Sequence, residues 1–276
     1  MGDNEFESQP REIDASRPSS ARLYHYYLSG EAVFEIDKIF AERIFEIAPY
    51  ADLFAHNNRS FLQRAVKYMV GQGIQQFLDI GSGLPTVGNT HEVARSVLPG
   101  ARVVYVDNDL EAVNRSHELL NAQGALDTTA ILDADLRRPE AILDHPTTRR
   151  LLDWDQPIGL LLCSVWPFVP DEFQPRKVMA TLRDRLPSGS YVAMTHATTD
   201  GLDQETIDRG DEVTDVYAKT SDPLTYRSRA EFGALFDGFE FVEPGIVYAP
   251  EWHPDGPVDT EDASFDSNLA AVGRKP

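Results

Sequence analysis

Phe77-Leu78-Asp79-Ile80-Gly81-Ser82-Gly83 is the stretch on which the fold turns. Residues 76–80 read as a buried strand, and they run directly into a turn carrying two glycines. Helical texture follows over residues 86–98 and stops at Pro99-Gly100. A strand, a glycine turn and a helix in that order bring bare backbone to the carboxyl edge of a parallel sheet, where ligands bind in open α/β folds. The same rhythm continues outward. Residues 101–106 form a strand ending in Asp107, and Asp109 is placed to N-cap a helix reaching about Asn121. Residues 129–132 are a third strand. Residues 158–165 are a continuous apolar run, as in a strand covered on both faces. Residues 176–186 are helical and 191–195 a strand, with further strands at 239–243, 245–249 and 269–272. This order predicts an α/β fold, a mostly parallel sheet flanked by helices.

Upstream the texture is helical. Residues 1–17 are polar and acidic and read as a disordered lead. Residues 18–72 read as an N-terminal helical cap of three segments, 20–28, 32–48 and 51–70, forming one structural unit with the α/β domain of residues 73–276. The apolar stripe of the third segment runs Phe54, Phe61, Leu62, Ala65, Met69, and Asn58 interrupts it. A polar residue on a buried face needs a partner. Either it bonds a neighbouring helix or that face lines a ligand site.

Composition excludes several classes. The charge is 25 − 45 = −20, a field that repels nucleic acid. One cysteine, Cys163, rules out disulfide scaffolds and cysteine-based zinc sites, and no metal site is expected. No apolar run approaches the roughly 20 residues of a membrane span, and residues 1–10 lack a signal-peptide core. A cytoplasmic protein is expected. With 42% hydrophobic residues there is material for one good core.

The glycine turn lacks a phosphate cradle. A dinucleotide fingerprint wants a third glycine where this chain has Thr86, preceded by Pro85. It does have carboxylates. Asp107 stands 24 residues after Gly83, where it can accept two ribose hydroxyls. Asp79 precedes the turn, and Asp133 and Asp135 follow the third strand, Asp135 with Leu136 being better placed for an adenine. A nucleoside with a positive charge and no phosphate suits such a crevice. S-adenosylmethionine has those properties, and NAD is the rival.

These residues resemble class I S-adenosylmethionine-dependent methyltransferases, Rossmann-like proteins with a seven-stranded sheet. A narrower resemblance covers residues 18–276. It rests on Ala21-Arg-Leu-Tyr-His-Tyr-Tyr-Leu28, Asn58-Arg-Ser-Phe-Leu62, residues 77–86, Val104-Tyr-Val-Asp-Asn-Asp109, residues 191–197 and Val272-Gly-Arg-Lys-Pro276. The chain is identified as a member of a bacterial family of such methyltransferases with unassigned substrate, long described as a domain of unknown function. The resemblance implies S-adenosylmethionine as cofactor, S-adenosylhomocysteine as product and a small-molecule acceptor. It implies that Gly81, Ser82 and Gly83 touch the amino-acid moiety, that Asp107 holds the ribose with Asn108 beside it, and that Asp135 and Leu136 hold the adenine. The helical cap would bring Arg22, Tyr24, Asn58 and Arg59 to the ligand, with Asp79 and Ser164 in the same cofactor wall. Trp166 and Phe168 would face the substrate. Two departures stand out: His25, where an acidic residue is usual, and Trp166-Pro167, where an aliphatic residue and a histidine are usual.

Methyl transfer needs a base only if the nucleophile must lose a proton. His196, at the end of the strand over 191–195, is the candidate catalytic and substrate-pocket residue, with Tyr24 and Tyr26 as alternatives. His91-Glu92 lacks the second histidine of a zinc-protease motif. The carboxylate-dense stretch 200–222 reads as a helical insertion, either a solvated face or a wall suited to a basic or neutral substrate. Three readings follow: a small-molecule methyltransferase, a catalytically inactive sensor or partner protein that binds the cofactor (motivated by Trp166-Pro167), and a nicotinamide-dependent oxidoreductase. If Asp107 holds the ribose, Asp107→Ala weakens S-adenosylmethionine binding by roughly 1.5–3 kcal/mol, as expected for hydrogen bonds to a charged group. Full affinity of that variant in calorimetry contradicts the role.

Overall fold

The computed structural model describes residues 12–276. Three helices come first: α1 (Ser20–Ser29), α2 (Glu35–Ile47) and α3 (Ala51–Gly71). The Ser19 side chain accepts from the Arg22 N–H at the start of α1, and Gly30 ends it at φ +72°, its N–H bonded to the Tyr26 carbonyl. The core follows as β1 (Gln76–Ile80), α4 (Thr90–Val97), β2 (Arg102–Asp107), α5 (Leu110–Ala122), β3 (Thr129–Asp133), α6 (Pro139–Leu143), α7 (Pro146–Leu151), β4 (Gly159–Leu162), α8 (Pro175–Arg185) and β5 (Tyr191–Ala197). Last come α9 (Gln204–Tyr217), α10 (Arg229–Gly233), β6 (Glu240–Phe241), β7 (Val247–Tyr248) and β8 (Asn268–Arg274). Among the described residues no helix is long and apolar enough to cross a membrane.

The sheet order is β3-β2-β1-β4-β5-β8-β6, with β7 also paired to β8. Strands β1 to β5 are parallel and β8 runs antiparallel to β5. The expected seven strands are eight, for a local reason. Both β6 and β7 lie along the outer side of β8, opposite Gly273–Arg274 and Leu269–Ala270 respectively. They are two pieces of one edge position, interrupted at Pro244, which has no N–H to give the ladder.

Two apolar layers enclose the sheet. On one face Phe61, Leu62, Ala65, Val66 and Met69 of α3 pack with Phe77, Val103, Leu161 and Val272. On the other, Val178, Met179 and Leu182 of α8 join Leu160, Leu162, Val192 and Phe232. Helix α3 therefore belongs to the sheet along its second half. Its first half joins α1, α2 and α9 in a separate cluster through Leu23, Ala41, Ile44, Ala55, Val213 and Val216. Residues up to 11 of the expected disordered lead lie outside the described residues. Of the rest, Arg17 donates to the Thr220 carbonyl at 2.6 Å, and the Asp14 and Arg17 carbonyls accept from Arg22, so this piece of the lead is tied to the body of the protein.

The close approach of β1 and β4 sits at the switch point of the topology. Gly159 pairs with Phe77, and a Cβ there would lie 2.6 Å from Phe77 Cδ1 and 3.1 Å from Met69 Sδ. Gly159→Ala is expected to cost about 1–3 kcal/mol through overpacking, read as a lower midpoint in urea. An unchanged midpoint contradicts this packing.

Candidate functional site

One large cavity opens at the carboxyl edge of β1, β2, β4 and β5, under α1, the start of α3, and α9. Its floor is the turn after β1. Gly81 has φ +74°, and a Cβ on it would lie 2.5 Å from Val165 Cγ2, so any side chain there is strained and must displace Val165. Gly83 has φ +67°, but a Cβ there meets open space.

The N–H groups of this turn are turned inward. Gly81 and Ser82 donate to the Val106 carbonyl at 2.8 and 3.2 Å, and Gly83 donates to Asp107 Oδ2 at 2.7 Å. Thr86 N–H donates to Asn89 Oδ1, and Gly88 and Asn89 donate to Glu92 Oε2. Helix α4 begins at Thr90 rather than the expected position 86, because Asn89 and Glu92 close the loop on itself. Backbone donors that would cradle a pyrophosphate are thus engaged by the protein.

Around this floor stand charged groups. Asp107 accepts from Gly83 and, through Oδ1, from the Asp109 N–H at 2.9 Å. Burial pushes its carboxyl up to about 7 against those two bonds. Asp79 accepts from Thr90 Oγ1 at 2.7 Å, and burial raises it to about 6, opposed by Thr90 and by the Arg59 charge. Arg59 spends one nitrogen on Asn89 Oδ1 at 3.0 Å, while its Nε is buried without a partner. Ser82 Oγ is likewise buried and unpartnered. These orphaned donors beside two buried carboxylates fit a ligand bearing both a carboxylate and cationic groups. Asp135 lines the cavity but is gripped by Arg137, whose Nε and terminal nitrogen reach both oxygens at 2.6–2.8 Å. Partial burial raises its carboxyl, and the Arg137 bonds outweigh that and hold it below the ordinary range.

The cavity gathers Tyr24, Asn58, Arg59, Asp79, Gly81, Ser82, Gly83, Asp107, Asn108, Asp135, Leu136, Ser164 and Phe168 from the sequence reading. Asn58 serves both of the possibilities left open for it. It lines the cavity, donates to Tyr24 Oη at 2.8 Å and accepts from Thr195 Oγ1 at 2.6 Å. Thr195 Oγ1 in turn accepts from the N–H of Ser164, a non-glycine residue held at φ +59°.

Three expected site residues lie elsewhere. Arg22 is buried behind α1, its Nε on Asp37 Oδ1 at 3.0 Å, with Asp109 Oδ2 at 3.8 Å and the Phe34 ring beneath it. Buried carboxylates have claimed it as a structural cation. Trp166 is fully buried in the opposite apolar layer, and its indole N–H points at Met194 Sδ. The departure Trp166-Pro167 is therefore split: Trp166 is a core residue, and only Pro167 lines the cavity. His196 is fully buried on the side facing Phe232. Strand β5 runs two residues past the expected end at 195, so His196 lies within a strand, with its side chain opposite to that of Thr195. Arg227 donates to its Nε2 at 2.9 Å, which leaves Nδ1 as the donor to the Ala197 carbonyl. Burial, assisted by Arg227, lowers it to about 3, so it is neutral and holds no free lone pair for a substrate.

Four cavity features were not singled out in the sequence reading, although Asp222 and Tyr217 fall in the stretch read as a possible wall. Asp222 lines the wall and accepts from Ser20 N–H and Oγ. Arg137 flanks Asp135. Tyr217 and Tyr226 come from α9 and the segment before α10. Cys163 falls one residue beyond β4 and lines the cavity, its thiol pushed up by burial. Behind the wall Arg227 also binds the Trp166 and Val169 carbonyls and Asp171, fixing the segment that carries Phe168. The carboxylates of α9 are exposed, which makes the acidic stretch mainly a solvated face.

Residues 6–276 match the family model described as S-adenosyl methyltransferase. A Thermobifida fusca YX structure described as a candidate methyltransferase is 37% identical, covering 98% of this chain and 99% of its own, with a TM-score of 0.87. A protein of the DUF574 family from Streptomyces avermitilis MA-4680 is 38% identical over 96% of this chain and 100% of its own, with a TM-score of 0.88. The pyocyanin biosynthetic protein PhzM, 14% identical over 92% of this chain and 62% of its own at a TM-score of 0.51, shares the fold. No curated protein matches the sequence.

The two glycines give a paired prediction for the floor of the site. Gly83→Ala meets only the left-handed backbone penalty, about 1–2 kcal/mol. Gly81→Ala adds the clash with Val165 and is expected to cost roughly 1–3 kcal/mol more. Equal urea midpoints for the two variants contradict the geometry.

Proposed function

The chain belongs to the S-adenosyl methyltransferase family, and from that premise we propose that it methylates a small molecule held in the same cavity as its cofactor. S-adenosylmethionine supplies an electrophilic methyl group on a sulfonium. The observation that carries the reading is the inward turn of every N–H named in the glycine loop, beside buried Asp79 and Asp107. A pyrophosphate finds the N–H groups of Gly81, Ser82 and Gly83 already taken, and a cationic nucleoside finds two carboxylates. The family match leaves the oxidoreductase reading without support, and with Trp166 in the core the motive for the inactive-protein reading shrinks to Pro167, which lines the cavity.

The roles we assign follow from unspent capacity. Each oxygen of Asp107 takes one backbone N–H and keeps a lone pair for a ribose hydroxyl, with Asn108 beside it. Arg59 Nε and Ser82 Oγ are left to bind the amino-acid moiety, the arginine at its carboxylate and Asp79 at its ammonium. Asp135 and Leu136 meet the adenine, and the Tyr24–Asn58–Thr195 chain fixes Ser164 in the wall. Among the described residues lining the cavity there is no histidine. The protein's contribution is then positioning and exclusion of water rather than proton removal. The charge of −20 argues for a small molecule over nucleic acid as acceptor. We place the reaction in the cytoplasm, where a thiol such as Cys163 stays reduced.

Calorimetry tests the reading directly. S-adenosylhomocysteine is expected to bind and NAD is not; binding of NAD alone contradicts it. Arg59→Met is expected to weaken S-adenosylhomocysteine by roughly 1.5–3 kcal/mol. The pH dependence has a definite sign. Burial favours the protonated form of Asp107, and ribose hydroxyls need the ionised form as acceptor. Affinity should therefore rise as pH rises through about 7, by roughly tenfold from about pH 6 to about pH 8, with a smaller contribution lower down from Asp79. The same shift acts oppositely on the empty protein, whose stability from these groups is lost as pH rises from the ordinary carboxylate range. A flat affinity profile contradicts the assignment of Asp107.

A further inference from the structure

Resting on the cofactor reading above, we propose that the methyl acceptor is an apolar aromatic molecule whose nucleophile is a weakly basic nitrogen, either in a heteroaromatic ring or as an aniline-type amine. Beyond the cradle the cavity is walled by Tyr27, Tyr50, Phe54, Phe168, Tyr217 and Tyr226. The rings of Phe168 and Tyr217 stand 5.6 Å apart, and the hydroxyls of Tyr27 and Tyr217 bond each other at 3.1 Å. With these two polar tips turned on each other, Tyr27, Tyr217 and Phe168 present ring surface to the contents, in a lining that also includes Thr198, Thr199, Thr206 and Ser267. A planar aromatic molecule stacks well on such rings, whose faces outnumber the hydroxyls around them.

The nature of the nucleophile follows from what the wall lacks. A phenol or a thiol must lose a proton before it attacks, and an alkylamine arrives as ammonium and must shed one. Each needs a base. The carboxylates of the cavity gather at the cofactor end: Asp79 and Asp107 in the cradle, Asp135 on Arg137, and Asp222 bonded through Oδ2 to Ser20 and Ser221 and close enough to Asp107 and Arg137 to act on their charge. The wall also reports how it treats acids of its own. Burial pushes the hydroxyls of Tyr24 and Tyr217 up to about 12, and it raises Tyr27, Tyr226 and Cys163 as well. An oxygen or sulfur anion is disfavoured in the same space. A weakly basic nitrogen is already neutral at neutral pH and carries its lone pair free.

The step balances without a base. The nitrogen lone pair forms the N–CH3 bond while the S–CH3 bond breaks, and the bonding pair leaves with sulfur, which becomes a neutral thioether. The positive charge passes from sulfur to nitrogen. A ring nitrogen keeps it as an N-methyl cation, and an aniline-type nitrogen releases a proton to solvent on departure. The aromatic wall suits both ends of this transfer, because ring faces attract cations.

The full-length protein is first titrated with S-adenosylhomocysteine by calorimetry. The saturated protein is then titrated with isoquinoline, naphthylamine, naphthol, naphthylmethanethiol and naphthylethylamine. Each is finally incubated with protein and S-adenosylmethionine, and products are read by mass spectrometry. We expect isoquinoline and naphthylamine to bind the saturated protein and to be the only probes methylated; the alkylammonium probe, drawn to the same ring faces, is expected to bind without being methylated. Failure of S-adenosylhomocysteine to bind sinks the cofactor reading itself. Its binding together with methylation of naphthol, the thiol or the alkylamine, or with no binding of either nitrogen probe, overturns the acceptor proposal alone.

Discussion

A single hydrogen bond, from the Gly83 N–H to Asp107 Oδ2 at 2.7 Å, joins the two loops on which the site depends. It ties the turn after β1 to the end of β2. The other oxygen of the same carboxylate receives the Asp109 N–H, and Asp109 then caps α5 through Glu111 and Ala112. Asp109 Oδ2 receives Ser19 Oγ, so α1 is anchored to the same corner. One buried carboxylate therefore sets the glycine floor, starts a helix of the α/β core and, one step removed, seats the first helix over the cavity. Leaving such a group buried costs free energy, seen in the rise of its carboxyl to about 7. A ligand that offers hydrogen-bond donors and a cation recovers that cost, which links the electrostatics of the empty site to the choice of cofactor.

A second seam closes the opposite wall. Tyr24 on α1 donates to the Ala55 carbonyl, Asn58 on α3 joins Tyr24 to Thr195 on β5, and Thr195 holds the N–H of Ser164 after β4. Because these bonds join helices to strand ends, the helical cap and the sheet share one polar network rather than meeting across a slip plane. The aromatic wall beyond it comes from α1, the start of α3, α9, Tyr226 and the Phe168 segment, which Arg227 pins from behind through three main-chain or carboxylate contacts.

Much of this was legible from residue patterns. Alternation of strands and helices, the glycine turn and the carboxylates at 79 and 107 follow from local chemistry, and local chemistry is what a sequence displays. Asn58 was visible as a polar break in an apolar stripe. His196 was misplaced because one residue of register reverses the face of a strand, and the end of β5 is set by its partner β8 rather than by its own residues. Arg22 and Arg59 look alike in the sequence; only the tertiary positions of Asp37 and Asp109 decide that the first is consumed and the second left with a free nitrogen. Arg227 carried no signal at all, since two of its partners are backbone carbonyls 61 and 58 residues away in sequence, which any residue type supplies.

The central claim is that spare capacity on Asp107, Arg59 and Ser82 is the imprint of the cofactor. A crystal structure of the protein with S-adenosylhomocysteine tests it most directly. The account predicts both ribose hydroxyls on Asp107 with the Gly83 bond retained, and the ligand carboxylate on Arg59 Nε. A ligand whose ribose lies away from Asp107, with Arg59 Nε still unpartnered, would contradict it.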